Sequence, residues 1–188
     1  MDHIYQRIQG WFGYTKTYSY LVDQMPENGI FVEVGVWKGQ SLSYFIIDSI
    51  NKNKNIQIYA VDSFEGSAEH FRDKEPSIMN KTLFTEFTNN MKTLESRYKC
   101  LKMPSEEAYK IFADNSIDIL FLDAAHDYEN VSKDLRNWYP KIKQGGILAG
   151  HDYSPGWPVV IAVDEFYKDK QNEIINFGDD CCWITRKK

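Results

Sequence analysis

Short apolar runs alternate along this chain with longer segments whose apolar residues recur every three or four positions. Ile30-Phe-Val-Glu-Val-Gly35 reads as a buried strand, and Leu42, Phe45, Ile46 and Ile50 follow at helical spacing. Residues 56–62 read as a second strand ending in Asp62. Residues 63–80 are polar and irregular, after which Leu83, Phe84, Phe87, Met91 and Leu94 mark a helix. Residues 98–103 suit a short third strand. Ser105 is placed to cap the next helix, with Glu106 and Glu107 in its positive first turn. Residues 117–123 form the clearest strand, again ending in an acid, Asp123. Tyr128, Val131, Leu135, Trp138 and Ile142 trace one helix face, Gln144-Gly-Gly146 reads as a turn, and residues 147–150 read as a strand delivering His151 and Asp152. Pro155, Gly156 and Pro158 make a loop before a helix marked by Val159, Ala162, Val163, Phe166 and Tyr167. The tail offers two strands, 173–177 and 181–185.

Strict β–α alternation implies a doubly wound α/β domain, a parallel sheet covered by helices on both faces. The two tail strands are joined by so short a link that they pair as a hairpin, which makes the last strand antiparallel to the rest. The expected domain covers residues 28–188. Residues 1–27, rich in tyrosine and tryptophan, are expected to form a helical segment serving as a lid or packing against a partner subunit in a homo-oligomer. In such folds ligands sit beyond the carboxyl ends of the strands. Gly35, Asp62, Asp123, His151 and Asp152 all fall at those ends.

Composition narrows the class. The chain has 188 residues, 43% hydrophobic and 26% charged, values that suit one soluble domain with its own core. A net charge of −5 makes nucleic acid an unexpected partner. No apolar run approaches the roughly 20 residues that span a bilayer, and residues 1–11 lack the apolar core of a secretory signal. A cytoplasmic protein is therefore expected. Cys100, Cys181 and Cys182 follow no disulfide spacing and are expected to be reduced, core-facing thiols.

Glu33-Val-Gly35-Val-Trp-Lys-Gly39-Gln-Ser41 bridges the first strand and helix. Gly35 takes backbone angles closed to other residues, Gly39 lets backbone approach a ligand, and the helix N-terminus offers free N–H groups. Asp62, ending the next strand, is placed to accept both hydroxyl protons of a ribose. A dinucleotide fingerprint requires Gly-x-Gly-x-x-Gly to cradle a pyrophosphate, and its middle glycine is missing here. A looser glycine turn preceded by an acid suits S-adenosylmethionine, which has no phosphate. A nicotinamide-dependent oxidoreductase and a non-catalytic cofactor-binding module are the alternatives.

The run from Phe31 to Ser41 resembles the first motif of class I S-adenosylmethionine-dependent methyltransferases. Four further segments resemble the small-molecule O-methyltransferases related to macrocin O-methyltransferase and, more distantly, catechol and caffeoyl-CoA O-methyltransferases. They are Val61-Asp-Ser-Phe-Glu-Gly66 with Glu69-His70, Ile119-Leu-Phe-Leu-Asp-Ala-Ala-His-Asp-Tyr128, Gly145-Gly-Ile-Leu-Ala-Gly-His-Asp-Tyr153 and Ala162-Val-Asp-Glu-Phe166. The resemblance implies a Rossmann-like, seven-stranded sheet of order 3-2-1-4-5-7-6 with the seventh strand antiparallel. It implies that Glu33, Gly35, Gly39 and Ser41 line the methionine part of the cofactor and that Asp62 binds the ribose. Ser63 or Phe64 would flank the adenine, and Ser105 and Glu106 would lie near its edge.

Methyl transfer to an alcohol needs an aligned acceptor and removal of its proton, by a general base or by a metal that lowers the hydroxyl pKa. The resemblance puts His126 in the base position, beside the sulfonium, with Asp123. Asp123, His151 and Asp152 are the expected ligands of a divalent cation. Catechol-type relatives use Asp, Asp and Asn; the imidazole here better suits manganese, iron or zinc, with weakly bound magnesium or no metal as the alternatives. Phe64, Phe71, Tyr153 and Trp157 flank the same edge. They suit a small acceptor bearing a sugar or aryl hydroxyl.

Overall fold

The computed structural model describes residues 1–170, 174–176 and 181–188. Five strands build the parallel part of the sheet: β1 (Ile30–Val34), β2 (Gln57–Asp62), β3 (Lys99–Lys102), β4 (Ile117–Leu122) and β5 (Ile142–Gly150). Two more follow, β6 (Ile175–Asn176) and β7 (Trp183–Arg186), in the spatial order β3-β2-β1-β4-β5-β7-β6. β7 runs antiparallel to β5, pairing Ile147 with Arg186 and Gly150 with Trp183. The sheet is thus mixed, and β6 adds to its edge only a two-residue pairing with β7. The rest of the strand expected at 173–177 lies largely outside the described residues.

Helices α1 (Thr15–Gln24), α2 (Gln40–Asn51) and α5 (Leu83–Met91) cover one face. Helices α6 (Ser105–Ala108), α7 (Tyr128–Trp138) and α8 (Pro158–Tyr167) cover the other. Successive strand residues point to opposite faces. Phe31 of β1 accordingly packs with Phe45, Ile46 and Tyr18, while Val32 and Val34 pack with Leu135, Trp138 and Val163. The apolar stripes of α2 and α7 are what hold each helix to its face, and Leu42, Phe45, Ile46, Leu135 and Trp138 are fully buried. Among the described residues no helix is long and apolar enough to cross a membrane.

Several local expectations change. Residues 63–80 are not irregular throughout: Ala68–Arg72 (α3) and Pro76–Met79 (α4) are short helices. The apolar stripe from Leu83 ends its α-helix at Met91 and continues as a 3-10 turn over Lys92–Arg97. Gln144-Gly-Gly146 is no turn. It lies inside β5 at an irregularity of the β4–β5 register, where Gly145 N–H donates to Lys187 O and the Arg186 guanidinium donates to Gly145 O. Ile142 belongs to that strand rather than to the helix before it. The cysteines are free, but Cys182 alone is buried and Cys100 is exposed.

The N-terminal segment is part of the same core. Ile8, Tyr14, Tyr18, Leu21, Val22 and Met25 are buried against α2 and β1. The Gln40 carboxamide fastens the stretch before α1, accepting from Phe12 N–H at 3.0 Å and donating to Tyr5 O at 3.2 Å.

Candidate active site

Each strand of the parallel core hands its chain to a loop at the carboxyl edge, and backbone bonds tie these loops to neighbouring strands. Gly35 N–H donates to Val61 O and Asp123 N–H to Val34 O, both at 2.8 Å, and His151 N–H donates to Leu122 O at 3.2 Å. A cleft of about 840 Å³ opens along this edge, within the usual range for small-molecule sites.

One part of the cleft is lined by Gly35, Ser41, Asp62, Ser63, Ser105 and Glu106. Asp62 is held by two backbone donors, Phe64 N–H at 2.7 Å on Oδ1 and Trp37 N–H at 2.9 Å on Oδ2. Burial raises its pKa, and the N–H groups of Phe64 and Trp37 oppose that rise. Each oxygen keeps a lone pair for a further donor.

Three residues expected in this half do not line the cleft. Glu33 lies beneath it, fully buried, with Oε1 accepting from the Ser41 hydroxyl and Oε2 without a hydrogen-bond partner. Gly39 is the left-handed start of α2, at φ +89°, packed against Met91 and Phe87. Phe64 points into the core against Phe84 and Phe87. Ser105 does line the cleft but is not a cap. Pro104 precedes α6, and the Ser105 hydroxyl donates instead to Asp134 on α7.

Burial pushes the Glu33 carboxyl up to about 8, against the opposing bond from Ser41. The folded chain therefore retains a proton that the unfolded chain releases near 4.5. This contribution is complete below that value and is lost as pH rises through about 8. Glu33→Gln is expected to remove it. Comparing urea unfolding at pH 5 and pH 8.5, the wild type should lose on the order of 3 kcal/mol more than the variant. Equal losses would show that Glu33 is ionised in the folded state.

The other half of the cleft brings together Asp123, His126, His151 and Asp152. His126 is ringed by carboxylates. Nδ1 lies 2.9 Å from Glu69 Oε2, and Nε2 lies 3.0 Å from Asp152 Oδ2 and 3.7 Å from Asp123 Oδ1. Burial lowers its pKa, but the bonds and charges of Asp123 and Asp152 more than offset this and push it up to about 11. His126 is an imidazolium in this arrangement. Burial of Asp152 acts to raise its pKa, but the His126 and His151 imidazoles hold the carboxyl well below the usual range.

The donor set differs from the expected Asp123, His151 and Asp152. Asp123, His126 and Asp152 each offer one ligand atom, all within 4.8 Å of one another. His151 stands beside this set, with Nδ1 3.3 Å from Asp152 Oδ1 and 3.9 Å from Asp123 Oδ1, and its ring stacks on Tyr14 with centroids 4.4 Å apart.

Tyr14, Glu69 and Lys38 complete the site. The Tyr14 hydroxyl donates to Asp123 Oδ2 at 2.6 Å, so that Oδ1 is the oxygen facing the two imidazoles. Nothing in the sequence marks Tyr14, which stands 109 positions from Asp123. Lys38, buried within the glycine loop, donates to Gln9 Oε1 at 2.7 Å and pairs with Glu86 at 2.9 Å and Glu75 at 3.4 Å. It ties the loop to the N-terminal segment, α5 and the residue preceding α4. Trp37 stacks on His70, with centroids 4.2 Å apart and planes within 10°, and Trp11 lies beside the pair.

A parallel sheet with a glycine turn, an acid on the adjoining strand and an open cleft at its carboxyl edge is the arrangement on which α/β domains bind nucleoside cofactors. A methyltransferase-domain family model matches residues 32–153, and the chain belongs to that family. A curated relative, y4gI of Sinorhizobium fredii, is 23% identical over 150 residues. The match takes in 80% of this chain, which spans only 16% of the relative's length. Among solved structures, the O-methyltransferase NovP superposes with a TM-score of 0.70 at 20% identity, covering 93% of this chain and 79% of that one. CalS11, a TDP-rhamnose 3'-O-methyltransferase of calicheamicin biosynthesis, gives 0.61 at 19% identity, with 92% and 76% covered. A Thermotoga maritima S-adenosylmethionine-dependent O-methyltransferase gives 0.63 at 12% identity, with 97% and 68% covered. These likenesses establish the Rossmann-like methyltransferase fold.

Proposed function

We propose that this protein transfers a methyl group from S-adenosylmethionine to a hydroxyl of a small molecule. The observation that carries the reading is one continuous cleft that joins the Gly35–Asp62 end to the cluster of Asp123, His126 and Asp152. Asp62 takes the ribose hydroxyls, Ser63, Ser105 and Glu106 border the base, and the Gly35 turn with Ser41, backed by the buried Glu33, receives the amino-acid end. Gly39 and Phe64 act from behind, by starting α2 and by holding the loop after β2. The same reading carries a seven-stranded sheet. It also carries a cytoplasmic setting.

At the reaction end, His126 is assigned the acceptor proton. Asp123 and Asp152 hold a proton on it, so it becomes a base only once acceptor hydroxyls engage those carboxylates. Two carboxylates and an imidazole suit manganese or iron better than magnesium. If Asp123, His126 and Asp152 held such a cation, the imidazole lone pair would go to the metal, and its Lewis acidity toward an acceptor hydroxyl would replace His126 as the device that eases proton loss. Trp11, Trp37 and Trp157 at the cleft wall offer flat faces to a sugar or aryl ring. The sugar acceptor named for CalS11 favours the first.

The test is calorimetry with S-adenosylhomocysteine and NAD in parallel, then transfer of labelled methyl to nucleotide-sugar and catechol acceptors with and without chelator. Saturable binding of the first ligand alone is expected, and no binding of it would end the reading. His126→Ala should lower transfer at least about 100-fold, with S-adenosylhomocysteine affinity within about threefold of wild type. Unchanged transfer would remove His126 from the chemistry.

A further inference from the structure

We infer, on the methyl-transfer reading above, that His70 binds the acceptor molecule, donating from a fixed Nε2–H to an oxygen beside the hydroxyl that is methylated. The acceptor must then carry a second oxygen, which the reading above does not require.

His70 sits on α3, whose residues line the cleft. Its neighbour Glu69 reaches His126 Nδ1 at 2.9 Å, while the His70 ring stacks on Trp37 of the glycine loop at 4.2 Å. The short helix therefore bridges the glycine loop and the reaction cluster. Trp37 is itself anchored by its N–H to Asp62 Oδ2 at 2.9 Å.

The ring's hydrogen is placed by geometry. Nδ1 accepts from the Ser67 backbone N–H at 3.0 Å, with the Ser67 hydroxyl at 2.8 Å. A backbone N–H can only donate, so Nδ1 is the lone-pair nitrogen and Nε2 carries the hydrogen. Protonating Nδ1 would break one arm of the capping box that starts α3. Burial lowers the His70 pKa and the charge of His126 adds to this, against the charges of Glu75, Glu69 and Asp73. The ring is thus neutral at pH 7.5, and Nε2 is bonded to no described residue.

A glutamine or glutamate here would complete the same capping box. What the imidazole adds is a flat ring for the Trp37 stack and a donor held at one place in the cleft. With its one lone pair taken by Ser67, His70 cannot receive the acceptor's proton. Nor does its donor belong on the reacting oxygen, because it would occupy a lone pair needed to attack the methyl carbon. A neighbouring hydroxyl, ether or carbonyl oxygen is the partner left. Acceptors of this kind are oxygen-rich rings, as in sugars and catechols, rather than monohydric alcohols.

Two measurements test the assignment. In nitrogen-15 NMR at pH 7.5, the imidazole whose signals vanish in His70→Asn should be neutral with hydrogen on Nε2. Hydrogen on Nδ1, or an imidazolium, would overturn the assignment. Initial rates of methyl transfer to TDP-rhamnose and to catechol then compare wild type with His70→Asn and His70→Gln. Both amides keep an oxygen for the Ser67 N–H, but only the glutamine amide extends as far as Nε2. For the probe that wild type methylates, His70→Asn should raise KM at least about tenfold. Its kcat should stay within about threefold and its S-adenosylhomocysteine affinity within about twofold of wild type. His70→Gln should bring KM back to within about threefold of wild type. An unchanged KM in His70→Asn, or a glutamine variant no better than the asparagine one, would also overturn it. Failure of wild type to bind S-adenosylhomocysteine, or to methylate either probe, would sink the proposed function and this assignment with it. That result is seen before any variant is made.

Discussion

Gly35→Ala is expected to cost the protein most of its stability and to abolish cofactor binding. At this position φ is +92°, and an added Cβ would lie 2.0 Å from Asp123 O, 2.4 Å from Asp123 C and 2.6 Å from the Ala124 Cα. All three are backbone atoms, so no side chain can rotate out of the way. The clash falls where β1 and β4 release their loops, with Asp123 N–H already bonded to Val34 O. Relief would require moving Asp123 itself, and with it the contacts to Tyr14 and His126. Strain at the torsion and overpacking each cost roughly 1–3 kcal/mol. Together they should lower Tm by roughly 10 °C or more. Gly156→Ala is the control, because φ there is a comparable +87° and nothing lies within 4 Å of the added Cβ. Thermal unfolding of the two variants separates torsional strain from the close approach. If both lose the same small amount, the packing of the two loops is looser than described.

Asp62→Ala should weaken S-adenosylhomocysteine binding by at least about 100-fold, on the proposed ribose contact. Two hydrogen bonds to an ionised carboxylate are worth roughly 1.5–3 kcal/mol each. The same substitution strips Trp37 N–H and Phe64 N–H of their acceptor, which also loosens the loop that places Trp37 against His70. Asp62→Asn keeps an oxygen for one of these donors, so it should restore much of the stability and only part of the affinity. Calorimetry beside urea unfolding distinguishes the two losses. Affinity within about threefold of wild type in Asp62→Ala would remove the ribose from this residue.

The legible part of the fold was the part that depends on near neighbours in the chain. Apolar runs such as residues 119–122 read as buried strands between helices, and the stripe of Val131, Leu135 and Trp138 reads as a face turned to a sheet. The glycine turn and the acid ending β2 were likewise visible, because both are required by backbone geometry within a few residues of themselves. Short polar helices such as α3 and α4 were not, since they bury too little to leave a period. Nor was the path of β5 through Gly145, which depends on Arg186 and Lys187 reaching back from the tail.

Local sequence thus determined the layering of this protein, the edge of the sheet that holds the cleft, and the residues delivered to it by strand ends. Hydrophobic periodicity and steric limits on the backbone act over a few positions and are written directly in residue order. Tertiary structure alone decided which polar groups meet. It brought Tyr14 to Asp123, set His126 as well as His151 against the two aspartates, and drew Ser105 away from capping toward Asp134. Those choices follow from which side chains share a small desolvated volume where hydrogen bonds must be satisfied, and that volume exists only after distant segments have packed together.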